Sequence, residues 1–366
     1  MLLAIPLAHK KSTHVEFIAD LRGNSLFYIY NLSQPALQKI LIIRFSSIGD
    51  IVLTTPVVRC VKNQVENAEV HYLTKAGFAH LLEANPHVDK VHSFIDDLGA
   101  VIDLLKKEAF DFVIDLHNNI RSRRVTTSLG VKHKRFHKLN TEKWMMVNLK
   151  VDKLPDVHIV DRYIDTTADL GVKNDGKGLD FFIPKKEEVD PSILPEGFQN
   201  DFIALVIGAQ HFTKKLPEHK LSELIALLPD NVLIIGGPED AEIGERLQKA
   251  HSEKAWNACG KFNLFGSASL IKQSKSVISH DTGMMHIAAA LQKPIVSLWG
   301  NTIPKFGMYP YLPEHQDRYS ISEVKKLSCR PCSKIGHDAC PKGHFKCMEE
   351  QALATIVKDV AALSPR

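Results

Sequence analysis

Residues 39–50 read KILIIRFSSIGD, and this stretch decides the fold class. Four apolar residues at positions 40–43 are followed by a short polar turn and then by a segment with helical periodicity. A short apolar run that leads through a turn into a helix is typical of a buried strand in a parallel sheet. The sequence therefore predicts an α/β fold that begins at about Lys39.

The same pattern recurs in two successive series along the chain. Apolar runs that predict strands lie at residues 40–43, 70–73, 91–94 and 112–116, and again at residues 202–207, 232–235, 277–279 and 295–298. Helical periodicity occupies residues 98–109, 218–228, 239–250 and 264–274. This alternation predicts two Rossmann-like domains with parallel sheets that face a central cleft, where ligands bind at the carboxyl ends of the strands.

Length and composition agree with two domains. A chain of 366 residues with 44% hydrophobic content can bury two cores, because a single core stops growing at about 250 residues. The segment 173–199 is rich in Gly, Pro and charged residues, which is typical of a connection. We predict the following parts: an N-terminal extension (1–38), a first domain on the acceptor side (39–180), a linker (181–200), a second domain that binds the nucleotide and carries a Cys-rich tail (201–348), and a C-terminal helix (349–366) that packs back on the first domain.

Charge gives no indication of a nucleic-acid partner. Lys and Arg number 46 against 42 Asp and Glu, a surplus too small for the strongly basic surface that nucleic acids require. A local excess lies at residues 121–138, which contain seven Lys and Arg residues. This run predicts either contact with an anionic partner or membrane surface, or an ordinary solvated face.

Several features favour a soluble, cytoplasmic protein. No apolar stretch approaches the roughly 18 residues that a membrane-spanning helix needs. The apolar residues 1–8 precede basic residues instead of following them, so we do not expect a cleaved signal peptide. Four of the six cysteines cluster near the C-terminus, unlike the disulfide framework of a secreted fold.

Asp50 is the first candidate catalytic residue, because it lies at the top of the first predicted strand. The pattern Ser47-x-x-Asp50 is a capping box, which explains the carboxylate without any chemistry. Gly49 permits close approach of the backbone to a ligand, which favours a site. The turn lacks the G-x-G-x-x-G pattern of dinucleotide-dependent oxidoreductases.

The second candidate is the turn SHDTGMMH at residues 279–286, which follows a predicted strand of the second domain. The helix start at Thr282 and Gly283 offers backbone N–H groups and a hydroxyl to a pyrophosphate. In the alternative interpretation, Asp281 caps the helix and His286 lies in the core.

A third candidate is the turn GAQHFTKKLP at residues 208–217, which follows the first strand of the second domain. Lys214 or Lys215 would reach a phosphate there. A lysine ammonium neutralises the charge of a leaving group without a metal ion.

Four cysteines form the pattern Cys329-x2-Cys332-x7-Cys340-x6-Cys347. Four thiols within 19 residues suit a structural zinc site, although the second pair lacks the tight spacing of a zinc ribbon. Reduced thiols and local disulfides are the alternatives, and we assign these residues no catalytic role.

Together, these segments resemble glycosyltransferase family nine, whose best-known members are the ADP-heptose:lipopolysaccharide heptosyltransferases. The resemblance extends from about Lys39 to the C-terminus, and three segments carry it: RFSSIGD (44–50), FVIDLHNNIRS (112–122) and DTGMMH (281–286). It implies a GT-B fold and an inverting, metal-independent reaction with no cofactor.

The resemblance also implies roles for individual residues. Asp50 matches the catalytic base, and Lys214 matches a lysine that contacts phosphate. The residues expected to bind the remainder of the donor are Asp281, Thr282, Gly283 and His286 at its phosphates, Phe262 beside the base and Glu239 near the nucleoside or sugar. The chain departs from the family at Ala209 and Gln210, where hydroxyl groups often contact phosphate, and Thr213 is expected to substitute.

The resemblance implies transfer of a heptose from ADP-heptose to a lipopolysaccharide core acceptor, with transient contact to the inner-membrane surface. We expect Arg121, Arg123 and Arg124 to bind the anionic acceptor, since arginine suits phosphate and carboxylate groups. Transfer from another nucleotide sugar is the first alternative. A nonenzymatic nucleotide- or glycan-binding protein is the second, and Asp50 argues against it because such a protein needs no carboxylate at this position.

Overall fold

The computed structural model describes residues 38–199 and 201–363 in full, together with one short strand pair near the N-terminus. In that pair, β1 (Val15–Ile18) lies antiparallel to β2 (Phe27–Tyr30). Most of the predicted N-terminal extension, as well as residue 200 and residues 364–366, lies outside the described residues.

The first half of the described chain forms a five-stranded parallel sheet with helices around it. Its strands are β3 (Gln38–Ile43), β4 (Ala68–Lys75), β5 (Lys90–Phe94), β6 (Phe112–Asp115) and β7 (Lys132–Arg135), in the order β5-β4-β3-β6-β7. Its helices are α1 (Ile48–Val52), α2 (Thr55–Gln64), α3 (His80–Glu83), α4 (Leu98–Lys107), α5 (Ile120–Leu129), α6 (Asn140–Trp144) and α7 (Ile159–Ile164). Central β3 is completely buried at residues 40–43, which explains its unbroken apolar run.

The second half repeats this architecture with six parallel strands. These are β8 (Ile203–Val206), β9 (Val232–Ile235), β10 (Ala255–Asn257), β11 (Ser276–His280), β12 (Ile295–Trp299) and β13 (Tyr319–Glu323), in the order β10-β9-β8-β11-β12-β13. Its helices are α8 (Glu218–Leu227), α9 (Ala241–Ala250), α10 (Leu264–Gln273), α11 (Gly283–Ala290), α12 (Lys346–Glu349) and α13 (Leu353–Leu363). The predicted α/β class with two parallel sheets is confirmed.

Shorter helical segments complete the chain. A π-helix, Met145–Leu149, continues α6. The 3₁₀ helices are Ala76–Phe78, Asp165–Leu170, Lys185–Glu187, Pro191–Ile193, Phe212–Lys214, Pro238–Asp240, Pro304–Phe306 and Gln316–Arg318. None of the helices in the described part of the chain has both the length and the apolar composition needed to cross a membrane.

The eight predicted strands are present, whereas β7, β10 and β13 were not predicted. All three are edge strands of their sheets. Their sequences, KHKR, AWN and YSISE, contain no apolar run. Natural edge strands are often short and charged because an apolar edge would pair with other chains. Part of the basic run predicted as a binding or solvated face is therefore a sheet edge.

The prediction that the C-terminal helix packs on the first domain is wrong. Helix α13 packs against α8 and against strands β11, β12 and β13 of the second sheet. Its residues Leu353, Ile356 and Val360 are buried in the same apolar cluster as Leu205 and Ile225. The apolar stripe of the helix required a partner surface, and its periodicity did not specify which sheet supplies it.

The two halves touch where α1 approaches α11. A Cβ atom placed on Gly49 would lie 3.1 Å from the Cα atom of Gly283 and 2.9 Å from Cδ2 of His286. A Cβ atom on Gly283 would lie 3.2 Å from the backbone nitrogen of Gly49. Glycine at both positions therefore lets the two helices come this close.

Candidate active site

Residues that follow β3, β6, β8 and β11 line one cavity of about 500 Å³. In the first sheet β4 and β6 lie on opposite sides of β3, and in the second β9 and β11 lie on opposite sides of β8. Such a reversal of strand order opens a crevice at the carboxyl ends of the strands. Asp50 and His117 come from the first half, and Lys214 and Asp281 from the second. The cavity thus lies between the two sheets.

Asp50 is held at the cavity wall by Arg44 and Ser47. Nη2 of Arg44 lies 2.6 Å from Oδ2 of Asp50. The backbone N–H and the hydroxyl of Ser47 donate to the same oxygen at 3.3 and 3.1 Å. Within residues 38–199 and 201–363, no hydrogen bond engages Oδ1. The carboxylate therefore combines the predicted contact of a capping box with a second oxygen that is free to accept a proton.

Arg44 is itself fixed in place by the first domain. It donates from Nε to the carbonyl oxygen of Ser46 at 2.8 Å, and from Nη1 to that of Leu116 at 2.8 Å and to the hydroxyl of Tyr163 at 3.2 Å. Burial raises the pKa of Asp50, but the Arg44 guanidinium and the Ser47 donors outweigh burial and hold that pKa below its usual value. Asp50 is consequently ionised at neutral pH.

Lys214 and the start of α11 form the opposite wall of the cavity. Nζ of Lys214 lies 2.7 Å from Oδ2 of Asp281 and donates to the carbonyl oxygen of Asp281 at 3.0 Å. Asp281 also accepts a hydrogen bond from the hydroxyl of Thr302 at 2.8 Å. Thr282 and Gly283 begin α11 and line the cavity, so the positive end of the helix dipole faces it. This wall suits an anion.

Two histidines on the cavity wall each carry a buried nitrogen without a partner. Nδ1 of His117 and Nδ1 of His286 have no hydrogen-bond partner among the described residues. Burial, with a contribution from Arg44, lowers the pKa of His117 to about 3, and burial lowers that of His286 to about 4. Buried polar atoms are nearly always hydrogen-bonded in native proteins. Neutral imidazoles with unused nitrogens therefore indicate that this cavity binds a polar ligand.

The turn that carries His117 is built by polar residues of the segment 112–122. Asp115, at the end of β6, accepts from the backbone N–H groups of His117 and Asn118 at 3.0 and 2.7 Å and from the Ser122 hydroxyl at 2.8 Å. Asn119 caps α5. These residues shape the turn and place His117 at the cavity.

Comparison with known proteins agrees with this architecture. The family profile described as Glycosyltransferase family 9 (heptosyltransferase) matches residues 99–340. That range covers more than half of the chain. The chain belongs to glycosyltransferase family 9.

Individual relatives point to the same family. The transferase is 26% identical to the lipooligosaccharide heptosyltransferase 2 of Haemophilus influenzae over 311 residues. This alignment covers 77% of the present chain and 87% of the relative. Its fold matches the crystal structure of a glycosyltransferase of family 9 from Veillonella parvula with a TM-score of 0.71, at 20% identity over 89% of this chain and 97% of the other. It also matches ADP-heptose lipopolysaccharide heptosyltransferase II of Escherichia coli with a TM-score of 0.66, at 21% identity over 89% and 98% of the two chains. The predicted GT-B fold is confirmed.

The cavity of the transferase contains three lysines that were not predicted as site residues. Lys138, Lys143 and Lys334 line it, and no carboxylate in the described part of the chain pairs with any of them. Burial and the nearby Arg162 lower the pKa of Lys143 to about 8. Burial and the nearby Arg44 also lower the pKa of Lys138. Since Asp50 and Asp281 are already paired with Arg44 and Lys214, these lysines give the cavity a surplus of positive charge.

The arginines predicted to bind the acceptor do not line the cavity. Ser122 and Val125 of α5 are buried against the sheet, so Arg121, Arg123 and Arg124 point outward and are exposed. Arg121 lies over the Phe45 ring at 5.9 Å, and Arg123 donates to Asn118 at 3.1 Å. The register of α5 thus exposes these three side chains, and none of them lines the cavity.

Three residues predicted to bind the donor do not line the first cavity. Thr213 is 1% exposed, and its hydroxyl exchanges hydrogen bonds with the backbone of His337 at 2.8 and 3.1 Å, so it does not substitute as a phosphate ligand. Glu239 lines a second cavity of about 750 Å³, which shares Gln210 with the first. Phe262 packs against the core near Trp256 and lines neither cavity.

Lys215 forms an ion pair with a different carboxylate from the one that pairs with Lys214. Its Nζ lies 2.7 Å from Oδ1 of Asp240, which is 1% exposed. Lys214 lines the first cavity, whereas Lys215 neutralises a buried carboxylate and lines the second cavity.

The four C-terminal cysteines are neighbours in the fold, since burial raises the pKa of the Cys347 thiol and Cys329, Cys332 and Cys340 all contribute to the rise. All four are free thiols, and Cys329 approaches His344 at 3.8 Å. In the described ranges, three or more metal-ligating atoms come within 4.8 Å of one another in one group, which contains none of these cysteines. Tetrahedral zinc holds its sulfur ligands at about 2.3 Å from the metal. The four thiols are thus close neighbours without the spacing of a filled tetrahedral site, and the structural zinc stays a prediction.

The convergent group consists of His71, His92 and Glu108 in the first domain. Nδ1 of His71 lies 2.9 Å from Nε2 of His92, and the two oxygens of Glu108 are engaged by Lys39 and Lys90. Because these ligand atoms already have partners, the group is a hydrogen-bonded network of the sheet.

Proposed function

We propose that the chain is an inverting, metal-independent transferase that moves a heptose from ADP-heptose to a hydroxyl group of a lipopolysaccharide core acceptor. The observation that supports it most strongly is the cavity between the sheets, where an ionised Asp50 faces an anion-binding wall formed by Lys214 and the start of α11. The Haemophilus and Escherichia coli relatives bear heptosyltransferase names, which supports a heptose as the transferred sugar.

In this proposal Asp50 is the general base. Its Oδ1 accepts the proton of the acceptor hydroxyl while the oxygen forms a bond to the anomeric carbon from the face opposite the diphosphate. The bond between that carbon and the diphosphate oxygen breaks, and its electron pair leaves with the nucleoside diphosphate. A carboxylate with a low pKa is sufficient, because the hydroxyl becomes strongly acidic as the new bond forms.

The leaving group develops its negative charge at the opposite wall. Lys214 and the backbone N–H groups at Thr282 and Gly283 stabilise it there, in the role that a divalent cation has in other transferases. Gln210 lines both cavities, so a nucleotide whose phosphates lie in the first can extend its nucleoside towards Glu239 in the second.

The acceptor is assigned to the part of the cavity that contains Lys138, Lys143 and Lys334. These lysines lack partner carboxylates, and a phosphate or carboxylate group on the core saccharide would neutralise them. This assignment replaces the arginines of α5, which point away.

Thermal unfolding with a panel of ADP-, UDP- and GDP-sugars tests the donor. A ligand at 100 times its dissociation constant stabilises the folded state by about 2.7 kcal/mol, so ADP-heptose should raise the unfolding temperature and the others should not. Heptose transfer should then persist in excess EDTA. A shift with a UDP-sugar alone would identify another donor, and loss of transfer that Mg²⁺ restores would contradict the metal-independent mechanism.

A further inference from the structure

Exposed apolar side chains collect on one segment of the first domain. Helix α6 continues into the π-helix, and Trp144, Leu149 and Val151 along this stretch expose 57%, 56% and 39% of their surface. The stretch at residues 144–151 reads WMMVNLKV. A cluster of exposed large apolar residues on a globular protein usually marks a contact surface.

This segment borders the mouth of the catalytic cavity. Lys143, the neighbour of Trp144, lines the cavity. Nζ of Lys150 donates to the carbonyl oxygens of Cys329 and Pro331 at 3.1 and 2.6 Å, which fixes the segment against the C-terminal loop. That loop contributes Ile335, which lines the cavity and is 54% exposed. The exposed apolar segment therefore begins directly after a cavity residue, and Ile335 adds an exposed apolar side chain from the second half at the same cavity.

The charge around these apolar residues is positive. Residues 325–346 contain six Lys and Arg residues and a single acidic residue, Asp338. Arg330 and Lys346 are paired with Glu323 and Glu350, which leaves four lysines without a carboxylate partner among the described residues. Residues 138–153 contain four lysines, Glu142 and Asp152, and Asp152 is paired with Lys305. Tryptophan and leucine side chains among lysines are the composition that binds the surface of an anionic bilayer, because the rings enter the headgroup layer while the lysines stay with the phosphates.

We propose that residues 144–151 and Ile335 form the surface by which the protein docks on an anionic phospholipid bilayer. Trp144 and Leu149 enter the headgroup region. Lys325 and Lys326, which line a pocket together with Met146 and pair with no carboxylate among the described residues, contact lipid phosphates. The inference rests on the lipid-linked acceptor of the proposed function, since a cavity mouth held at the bilayer receives the saccharide while its lipid remains in the membrane.

Tryptophan fluorescence gives a direct readout. Of the three tryptophans, Trp299 is 1% exposed and Trp256 is half-buried, so Trp144 is the one that a lipid surface would reach. Vesicles of phosphatidylcholine with phosphatidylglycerol should shift its emission to the blue, and brominated lipid should quench it. Vesicles of phosphatidylcholine alone should do neither, because they lack the anionic phosphates.

Vesicle sedimentation with matched variants tests the location of the surface. The double change Trp144→Ser and Leu149→Ser should lower partitioning onto anionic vesicles at least about tenfold, given the apolar area lost. The control is Ile95→Ser with Ile193→Ser, since these residues are 76% and 64% exposed elsewhere on the molecule. The control variant should bind vesicles like the wild type.

Two vesicle results would overturn the inference: no binding by the wild type, or equal binding by the wild type and the Trp144/Leu149 variant. A third contrary result comes from sedimentation velocity without lipid, if the wild type is a dimer and the only effect of the double change is to make it a monomer. The last would show that the surface binds a second copy of the chain. Transfer to a soluble, delipidated saccharide is measured separately. Its failure would count against the proposed function and leave the vesicle result standing.

Discussion

At the scale of single residues, one arginine holds the carboxylate that we propose as the general base. Arg44 holds Oδ2 of Asp50, so the same contact positions the carboxylate and keeps it ionised. Two substitutions separate these effects.

Asp50→Asn should lower turnover by roughly 10² to 10⁴-fold, because that is the usual contribution of a general base. The amide keeps the size of the side chain and can still accept from Ser47, so folding and ADP affinity should change little. Steady-state kinetics together with ADP titration measure both effects. Normal turnover in this variant would exclude Asp50 as the base.

Arg44→Gln should move the acid limb of the pH profile of kcat/KM upward. In the wild type, the pKa of Asp50 lies below its usual value of about 3.9, so activity is lost only as the pH falls through that lower value. Without the guanidinium, burial acts unopposed and raises the pKa, so protonation removes the base at higher pH. Arg44→Lys should reverse part of the shift, and an unchanged acid limb in Arg44→Gln would contradict the assigned role of Arg44.

At the scale of the elements, one turn and one contact between helices organise the site. The turn after β8 sends Lys214 and Lys215 to different partners, and the contact of α1 with α11 joins the two halves.

Lys214→Ala and Lys215→Ala should therefore affect different properties: the first ADP binding and transfer, the second the free energy of unfolding. Lys214→Ala should weaken ADP binding and slow transfer, because the ammonium stabilises the leaving charge. Lys215→Ala should instead lower the free energy of unfolding by on the order of 3 kcal/mol, since it leaves the buried Asp240 carboxylate without its partner. ADP titration and denaturant unfolding of both variants distinguish these effects. Equal ADP affinity in Lys214→Ala and wild type would remove Lys214 from the donor site.

Gly49→Ala should reduce the rate of transfer on the order of 10²-fold, because the added methyl group forces α1 and α11 apart. Asp50 would then be misplaced relative to Lys214 and the start of α11. Gly283→Ala should act similarly. Gly77→Ala is the matched control, since a Cβ atom there meets nothing within 4 Å. Activity and thermal unfolding are compared for the three variants. Wild-type activity in Gly49→Ala would show that this close contact is not needed.

At the scale of the whole molecule, lysine side chains from distant parts of the chain line the same cavity. Lys138 and Lys143 come from the first half and Lys334 from the C-terminal loop. Their mutual repulsion is relieved when an anionic group binds.

Lys143→Gln should raise the acceptor KM roughly tenfold, which is the effect of removing one charged hydrogen bond, and should leave the donor KM nearly unchanged. In the wild type the acceptor KM should also rise as the pH passes about 8, where Lys143 loses its proton, and the variant should lack this rise. Arg123→Ala with Arg124→Ala is the control and should show neither effect. The reverse result would return the acceptor to the arginines of α5.

Much of the architecture followed from local sequence. Buried strands need unbroken apolar runs, and helices of the surface layer need a periodic apolar face, so eight strands and the turns carrying Asp50, Lys214 and Asp281 were predicted. The three missed strands lie at sheet edges, where burial does not impose an apolar run.

The sequence by itself determined the α/β class, the two parallel sheets and the turns at which chemistry is possible. Only the tertiary structure decided which side chains meet: Lys214 with Asp281, three lysines in one cavity, the outward direction of Arg121, and the second sheet as the partner of α13. The physical reason is that periodicity reports whether a face is buried. The identity of its partner depends on strand order and crossovers, which bring together residues far apart in the chain.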